Sequence, residues 1–348
     1  MDYFPVIKIL FFSALAFVIT IAWTPILTHF LYKYKLGKRI RNDGTTPIFS
    51  KLHQKKAGTP TMGGLLVWVT TLILTLIFFF LPKLFPLPLF KKLNFLTRSQ
   101  TLLPLGALVA SALVGLVDDI LNIRGIGAKG GGLRIRHRLL LYSLIALIGA
   151  LWFYYKLDWD LIHLPFLGNY QLGFWYIPVF IFIIVATGFS VNETDGLDGL
   201  AGGVLLFSFA AFAAIAYLKG KFDLATFCGV ISGSLAAFLW FNIYPARFFM
   251  GDTGSMSLGV TLGIVALLTN SAFLLPIIDL ILVLESLSVI IQIFSKKFFK
   301  KKVFLSSPLH HHFEAKGWPE PKIVMRFWVI SGISGIIGLI IALLDKTL

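Results

Sequence analysis

The sequence has 348 residues, 57% of them hydrophobic and only 14% charged, with a mean hydropathy of +0.86, whereas soluble domains carry about 25% charged residues. That excludes a soluble globular enzyme. Repeated apolar runs near the roughly 20 residues needed to span hydrocarbon indicate an all-α, polytopic membrane protein, because a barrel would alternate polar and apolar in short strands. The net charge of +15 could invite a nucleic-acid reading, but Lys and Arg gather in a few loops between apolar runs. There they set topology and meet anionic lipid or phosphate, and no nucleic-acid partner is expected.

About ten spans are predicted, near residues 5–32, 62–81, 101–121, 139–156, 174–191, 200–218, 224–243, 256–273, 275–295 and 324–344. The first run, Val6 to Tyr32, is longer than a signal-peptide core and shows no small-x-small cleavage site, so it is read as a helix. Residues 1–348 are read as a single integral membrane domain. Cys228, the only cysteine, excludes an internal disulfide and a Cys-rich metal site. Alternation puts Lys33–Thr61, Asn122–Arg138, Asn192–Gly199, Ile243–Ser255 and Lys296–Ile323 on one side, holding 21 of the 31 Lys and Arg. That side is expected to be cytoplasmic, with both termini outside. The cationic outer loop Pro82–Gln100 runs against this bias.

Taken in order, the polar breaks carry the chemistry. Gly58-Thr59-Pro60-Thr61-Met62-Gly63-Gly64 leads into the second span as a helix-start turn, or as a place where a phosphate could reach backbone N–H groups. The third span ends on Asp118-Asp119, and adjacent carboxylates repel unless a cation or shared proton relieves them. A helix C-terminus also disfavours negative charge, so these acids point to function. In the next loop, Gly130-Gly131-Gly132 lacks the Lys-Ser/Thr of a phosphate loop and reads as a mobile linker, while the arginines Arg124, Arg134, Arg136 and Arg138 suit phosphate contact.

Asn192-Glu193-Thr194-Asp195-Gly196-Leu197-Asp198-Gly199 packs three carboxylates between two apolar runs. It is a solvated turn or a functional site, and the acid clusters recurring on the same side favour the second. Asp252, after Phe249-Met250-Gly251, is either the N-cap of the eighth helix or a Mg²⁺ ligand. Asp279 reads as lying near the outer end of the ninth span, and Glu285 as a deeper buried hydrogen-bonding acid. Lys296 to Phe304 alternates cations with aromatics as a membrane-surface segment. His310-His311-His312 could be a zinc set, but contiguous ligands suit tetrahedral geometry poorly, and imidazoles on phosphate are the better reading.

Pro60-Thr61-Met62-Gly63-Gly64, Asp118-Asp119, Asn192-x-Thr-Asp195-Gly-Leu-Asp198-Gly-Leu, Phe249-Met250-Gly251-Asp252-x-Gly-Ser and Pro308-x-His310-His311-His312 together resemble the phospho-N-acetylmuramoyl-pentapeptide transferase family, over about Lys51 to Arg326. The resemblance implies a Mg²⁺-dependent transfer of phospho-MurNAc-pentapeptide from UDP-MurNAc-pentapeptide to undecaprenyl phosphate. The products are lipid I and UMP, and the active site faces the cytoplasm in the bacterial inner membrane. It implies Asp252 as metal ligand, Asp118 and Asp119 as metal-proximal catalytic acids, and Asp118 as proton acceptor. Asn192, Asp195 and Asp198 fall around uridine and diphosphate, and Thr61, Arg138, Asn242 and Phe249 join the substrate-binding set. His311 is placed with the catalytic residues, and His310 and His312 with substrate.

Homodimerisation is suggested by the family alone. Asn122 and Arg138 stand where the family usually has Lys, Phe189 where it has the first Asn of Asn-x-x-Asn, and Glu193 where it has an apolar residue. A sister transferase using a UDP-N-acetylhexosamine would share the acids and metal. A transporter would instead show helices broken near mid-membrane with acids at that depth.

Overall fold

The computed structural model describes residues 3–37, 53–127 and 131–347. Lys38, Arg39, Arg41, Lys51 and Lys129, which count in the charge bias, and Gly130 lie outside them. In chain order, α1 is Phe4–Lys33, α2 Leu65–Leu84, α3 the short Pro88–Leu93, α4 Leu102–Arg124 and α5 Ile135–Lys156. An antiparallel hairpin follows, β1 Leu161–Leu164 with β2 Gly168–Gln171. Then come α6 Tyr176–Thr194, α7 Leu200–Leu218, α8 Phe222–Asn242, α9 Asp252–Leu268, the single turn α10 Leu275–Ile278, α11 Leu280–Phe298, α12 Leu309–Ala315 and α13 Glu320–Thr347.

Among the described residues, eight helices are long and apolar enough to cross a membrane, or nine if the bent pair before and after Asp279 is one span. Each of the ten expected runs is a helix, but two depart from a simple span. The eighth, α9, has 17 residues, about 25 Å at ~1.5 Å per residue, less than the ~30 Å hydrocarbon core. The ninth is broken, with an 84° bend between Ala272–Ile278 and Leu280–Phe298. Asp279 sits in that break, and Ser208, midway along α7, donates to its Oδ1. It therefore lies at mid-length of the bundle and not at the outer end, because the bend sets the chain inward and carries α11 across. A transporter built on inverted repeats would pair two such breaks; one is present among the described residues.

The core is organised around α9, every residue of which is buried. Small residues make this possible. A Cβ on Gly259 would lie 2.8 Å from the Cα of Gly188 on α6, and one on Gly64 would lie 2.2 Å from the Cα of Gly254. Where no water drives helices together, such close approach supplies the packing. The same device joins α1 to α8 through Gly229 and Gly233, which press on Ser13. Lys8 Nζ fixes one end of this parallel pair, 2.9 Å from Asp223 Oδ1, and the Tyr32 hydroxyl fixes the other by donating to the Arg247 carbonyl at 2.8 Å. The hairpin, not expected from the sequence, lies at the end of the bundle away from the acid-rich loops. There His163 and the Phe166 N–H tie it to Asp345 of α13.

Candidate active site

The loops expected to carry chemistry converge at one end of the bundle. Asp118 and Asp119 end α4, about 100° apart on the helix, and the two side chains part company. Asp118 Oδ1 accepts the Leu133 N–H at 2.6 Å, and Oδ2 lies 2.6 Å from Arg138 Nε. That oxygen has no aligned hydrogen bond although it is fully buried. The contact is one of charge, in a place where an isolated carboxylate would be costly. Asp119 turns the other way and accepts the N–H groups of Asp252 at 3.1 Å and Thr253 at 3.0 Å, with the Thr61 hydroxyl donating at 3.2 Å. The α4 carboxylate therefore caps the N-terminus of α9 from outside, where the helix dipole favours negative charge.

Asp252 is thus not the N-cap; it is the first helical residue, and Gly251 holds the cap position at φ 76°. A side chain on Gly251 would strike Thr61 Oγ1 at 2.5 Å and Asp119 Oδ2 at 2.7 Å. Freed from capping, the Asp252 carboxylate faces the cluster. Its Oδ1 accepts Asn192 Nδ2 at 2.6 Å, and its Oδ2 accepts Arg138 Nη2 at 3.2 Å. Arg138 Nη1 also donates to Asn192 Oδ1 at 2.9 Å. Four helices, α4, α5, α6 and α9, thereby bring Asp118, Arg138, Asn192 and Asp252 together. Two acids from different helices converge on one cation, and carboxylate and amide oxygens are the hard donors Mg²⁺ takes. The donor set fits that ion, with Asp252 to hold it, Asp118 beside it and Arg138 between the two acids.

The remaining expected residues form two flanking groups. Asp195 Oδ2 accepts the Gly251 N–H at 3.2 Å. Asp198 accepts Lys56 Nζ at 2.6 Å and the Ala246 N–H at 3.0 Å, and Lys56 also pairs with Glu320. The Lys56 ammonium stands 5.9 Å from the Tyr244 ring and 6.0 Å from the Phe249 ring, so two aromatic faces flank the ion pairs of Lys56 as a wall on which a flat ring could stack. Asn242 is buried with its amide committed to the Gly199 N–H and the Phe248 carbonyl. It fixes this wall, as Thr61 fixes Asp119.

Gly63 and Gly64 donate to the carbonyls of Phe249 and Met250, both at 2.8 Å. The turn reading of that segment holds, and these N–H groups are not offered to a phosphate. Gly131 and Gly132 are likewise no linker. They fit against Asn122 and Asp118, and a Cβ on Gly132 would lie 2.8 Å from Asp118 Oδ1.

The three histidines diverge, as consecutive helical residues must. His310 is fully buried, its Nδ1 2.8 Å from Glu285 Oε2 and its backbone N–H donating to the same carboxylate. Burial alone would depress its pKa, but the Glu285 carboxylate outweighs it and the net shift is upward. His311 Nδ1 lies 2.6 Å from Glu314 Oε2. Burial first, and the charge on His310 second, push its pKa down to about 3, so it is neutral and gives its N–H to Glu314. Glu314, raised by burial but lowered more by hydrogen bonds from His311 and His53, stays ionised. The ligand atoms of His53, His311 and Glu314 lie within 4.8 Å of one another and could hold a metal. His312 turns outward and its Nδ1 accepts the Leu305 N–H at 3.2 Å.

Lys56, His53, Glu314 and Glu320 escaped the sequence reading. Lys56 belongs to a Lys-rich loop in which no spacing singles it out, and the two glutamates lack a motif.

His310 also sets the shape of the Asn192–Gly199 loop. A Cβ on Gly196 would lie 2.2 Å from His310 Nε2, and Glu285 holds both the ring Nδ1 and the backbone N–H of His310. Gly196→Ala is expected to lower kcat/KM about 10²-fold by displacing the Asp195 and Asp198 carboxylates. Gly106→Ala, whose Cβ meets nothing within 4 Å, serves as control. Equal activity of the two variants would show that the contact does not set the loop.

The Glycosyl transferase family 4 profile matches residues 101–270, and signature 1 of phospho-N-acetylmuramoyl-pentapeptide-transferase matches residues 56–66. The phospho-N-acetylmuramoyl-pentapeptide-transferase of Chloroflexus aggregans is 38% identical over 97% of this chain and 90% of its own. That of Anoxybacillus flavithermus is 38% identical over 96% and 97%, and that of Caldanaerobacter subterraneus subsp. tengcongensis 39% over 93% and 95%. With the signature falling on the segment that packs against the Asp252 loop, and identity sustained from end to end, the chain belongs to the phospho-N-acetylmuramoyl-pentapeptide-transferase family.

Proposed function

We propose that this protein transfers phospho-MurNAc-pentapeptide from UDP-MurNAc-pentapeptide to undecaprenyl phosphate, forming lipid I and UMP at the cytoplasmic face of a bacterial inner membrane. Residues 1–348 are taken as one transferase domain. The observation that carries the reading is the convergence of Asp118 and Asp252 on Arg138 and Asn192, beside an aromatic wall formed by Phe249 and Tyr244.

Both substrates are anionic, so the reaction needs positive charge at the diphosphate and a way to orient an in-line attack. Mg²⁺, held by Asp252, would supply that neutralisation and orientation. Arg138 then turns to the phosphate oxygens, for which its planar fork of donors is suited. Asn192, bridging Arg138 and Asp252, keeps both in register. An oxygen of the lipid phosphate bonds to the sugar-bearing phosphorus as the bond to UMP breaks, and Asp118 takes the proton of a monoprotonated acceptor. Asp195 and Asp198 hold the loops of the donor wall, and Lys56 pairs with the uridine half. Neutral His311 is a hydrogen-bonding group and not a cationic phosphate anchor, and the His310 ring braces the Gly196 loop.

Purified protein given both substrates should release UMP, and chelation of divalent metal should abolish release until Mg²⁺ is restored. Turnover unaffected by chelator would remove the metal from the reading. The orientation rests on the Lys and Arg bias. In a Cys228→Ser background, Lys300→Cys should resist an impermeant thiol reagent in intact cells and Tyr170→Cys should label. The opposite pattern would invert the topology.

A further inference from the structure

A second polar site lies outside the carboxylate cluster. At the same end of the bundle, the last turns of α1 and the segment after α8 enclose an open groove of about 380 Å³ lined by His29, Tyr32, Lys33, Phe241 and Arg247. No acid is among the lining residues. His29 and Lys33 are four apart on α1 and share a face. The Arg247 guanidinium lies 5.6 Å from the centre of the Phe241 ring. The Arg247 N–H donates to the Phe241 carbonyl at 2.9 Å, and the Tyr32 hydroxyl donates to the Arg247 carbonyl at 2.8 Å. The walls are thus joined by hydrogen bonds while three basic side chains stay at the surface. Just below, toward the middle of the helices, Ile26 and Trp240 are 60% and 72% exposed.

A cationic rim above an exposed apolar wall is the complement of an amphiphile with an anionic head. Basic pockets between membrane helices, at the level of the headgroups, are where anionic lipids bind, and a volume of a few hundred Å³ suits a small ligand. A soluble phosphate would gain nothing from the apolar wall. We propose that this groove binds the phosphate of an anionic phospholipid, with its acyl chains lying against α1 and α8. The groove is also mechanically close to the reaction. Arg247 follows Ala246, whose N–H holds Asp198, and precedes the Phe249 and Met250 carbonyls that hold Gly63 and Gly64. A bound headgroup would steady that loop.

The test is native mass spectrometry of the full chain in detergent, titrated with phosphatidylglycerol or phosphatidylcholine. Wild type should bind phosphatidylglycerol in preference, and the combined His29→Gln, Lys33→Gln, Arg247→Gln variant should weaken that binding about tenfold or more, with phosphatidylcholine unaffected. Lys83→Gln, Lys91→Gln, Lys92→Gln, which removes as many basic side chains from the other end of the bundle, should leave it unchanged. Equal losses in the two variants would mean general charge attraction and overturn the site. Displacement of the lipid by inorganic phosphate at equal concentration would make it a free-phosphate pocket, against the proposal. A parallel tenfold loss of undecaprenyl phosphate binding in the groove variant would assign the groove to the acceptor instead. Because the readout is binding, these results stand whether or not the transferase reaction is as described above.

Discussion

Asp252→Asn is expected to lower kcat by about three orders of magnitude or more while leaving the protein folded. The magnitude follows from removing an anionic ligand of a metal that neutralises and orients two phosphates, a stabilisation specific to the transition state. The fold is expected to survive because the start of α9 does not depend on this side chain. Its backbone N–H groups are held by Asp119, and Gly254 packs against Gly64 whichever residue stands at 252. Asparagine keeps the shape and can still accept from Asn192, but it lacks the charge that balances Arg138 and the metal. UMP release should fall without a comparable fall in melting temperature, and raising Mg²⁺ should not restore it. Activity within tenfold of wild type at ordinary Mg²⁺ would remove Asp252 from the metal site.

The sequence disclosed the membrane class, the helical runs and the one-sided gathering of acids because those depend on composition and on spacing along the chain. It disclosed less of what depends on direction. Asp118 and Asp119 are adjacent, and nothing in their order tells that one faces Arg138 while the other caps a helix five spans further on. The histidine triplet reads as one unit, yet the helix turns its members to Glu285, Glu314 and Leu305 in succession. Glycines were legible as turn formers, whereas Gly132 and Gly196 matter because another side chain occupies the space of their Cβ. The break at Asp279 was hidden for a further reason: an apolar run looks the same whether the helix is straight or bent, and only the partner Ser208 marks the depth. Arg138, expected at a phosphate, stands between two acids, which is the same electrostatic requirement met from within the chain.

The donor offers the second large effect. UDP-MurNAc-pentapeptide should give a kcat/KM about 10³-fold or more above that of UDP-N-acetylglucosamine, with undecaprenyl phosphate and Mg²⁺ held constant. The two donors share uridine and diphosphate, so Asp118, Asp252 and the wall of Lys56 and Phe249 cannot separate them. Discrimination has to come from surfaces past the sugar phosphate. The segment with Thr61 and Met62 is clamped to the Phe249–Asp252 loop through Gly63 and Gly64. The His310–Glu314 turn carries two imidazoles and a carboxylate in a buried network with His53. Polar groups of this kind reject a ligand that lacks the matching groups, since they are left unpaired in its transition state. Initial rates of UMP and lipid product from each donor, offered singly to detergent-solubilised protein, decide the matter. A preference for the hexosamine donor would move the protein to the sister branch of transferases. Transfer from neither, with Mg²⁺ and undecaprenyl phosphate present, would leave the carboxylate cluster without the reaction proposed for it.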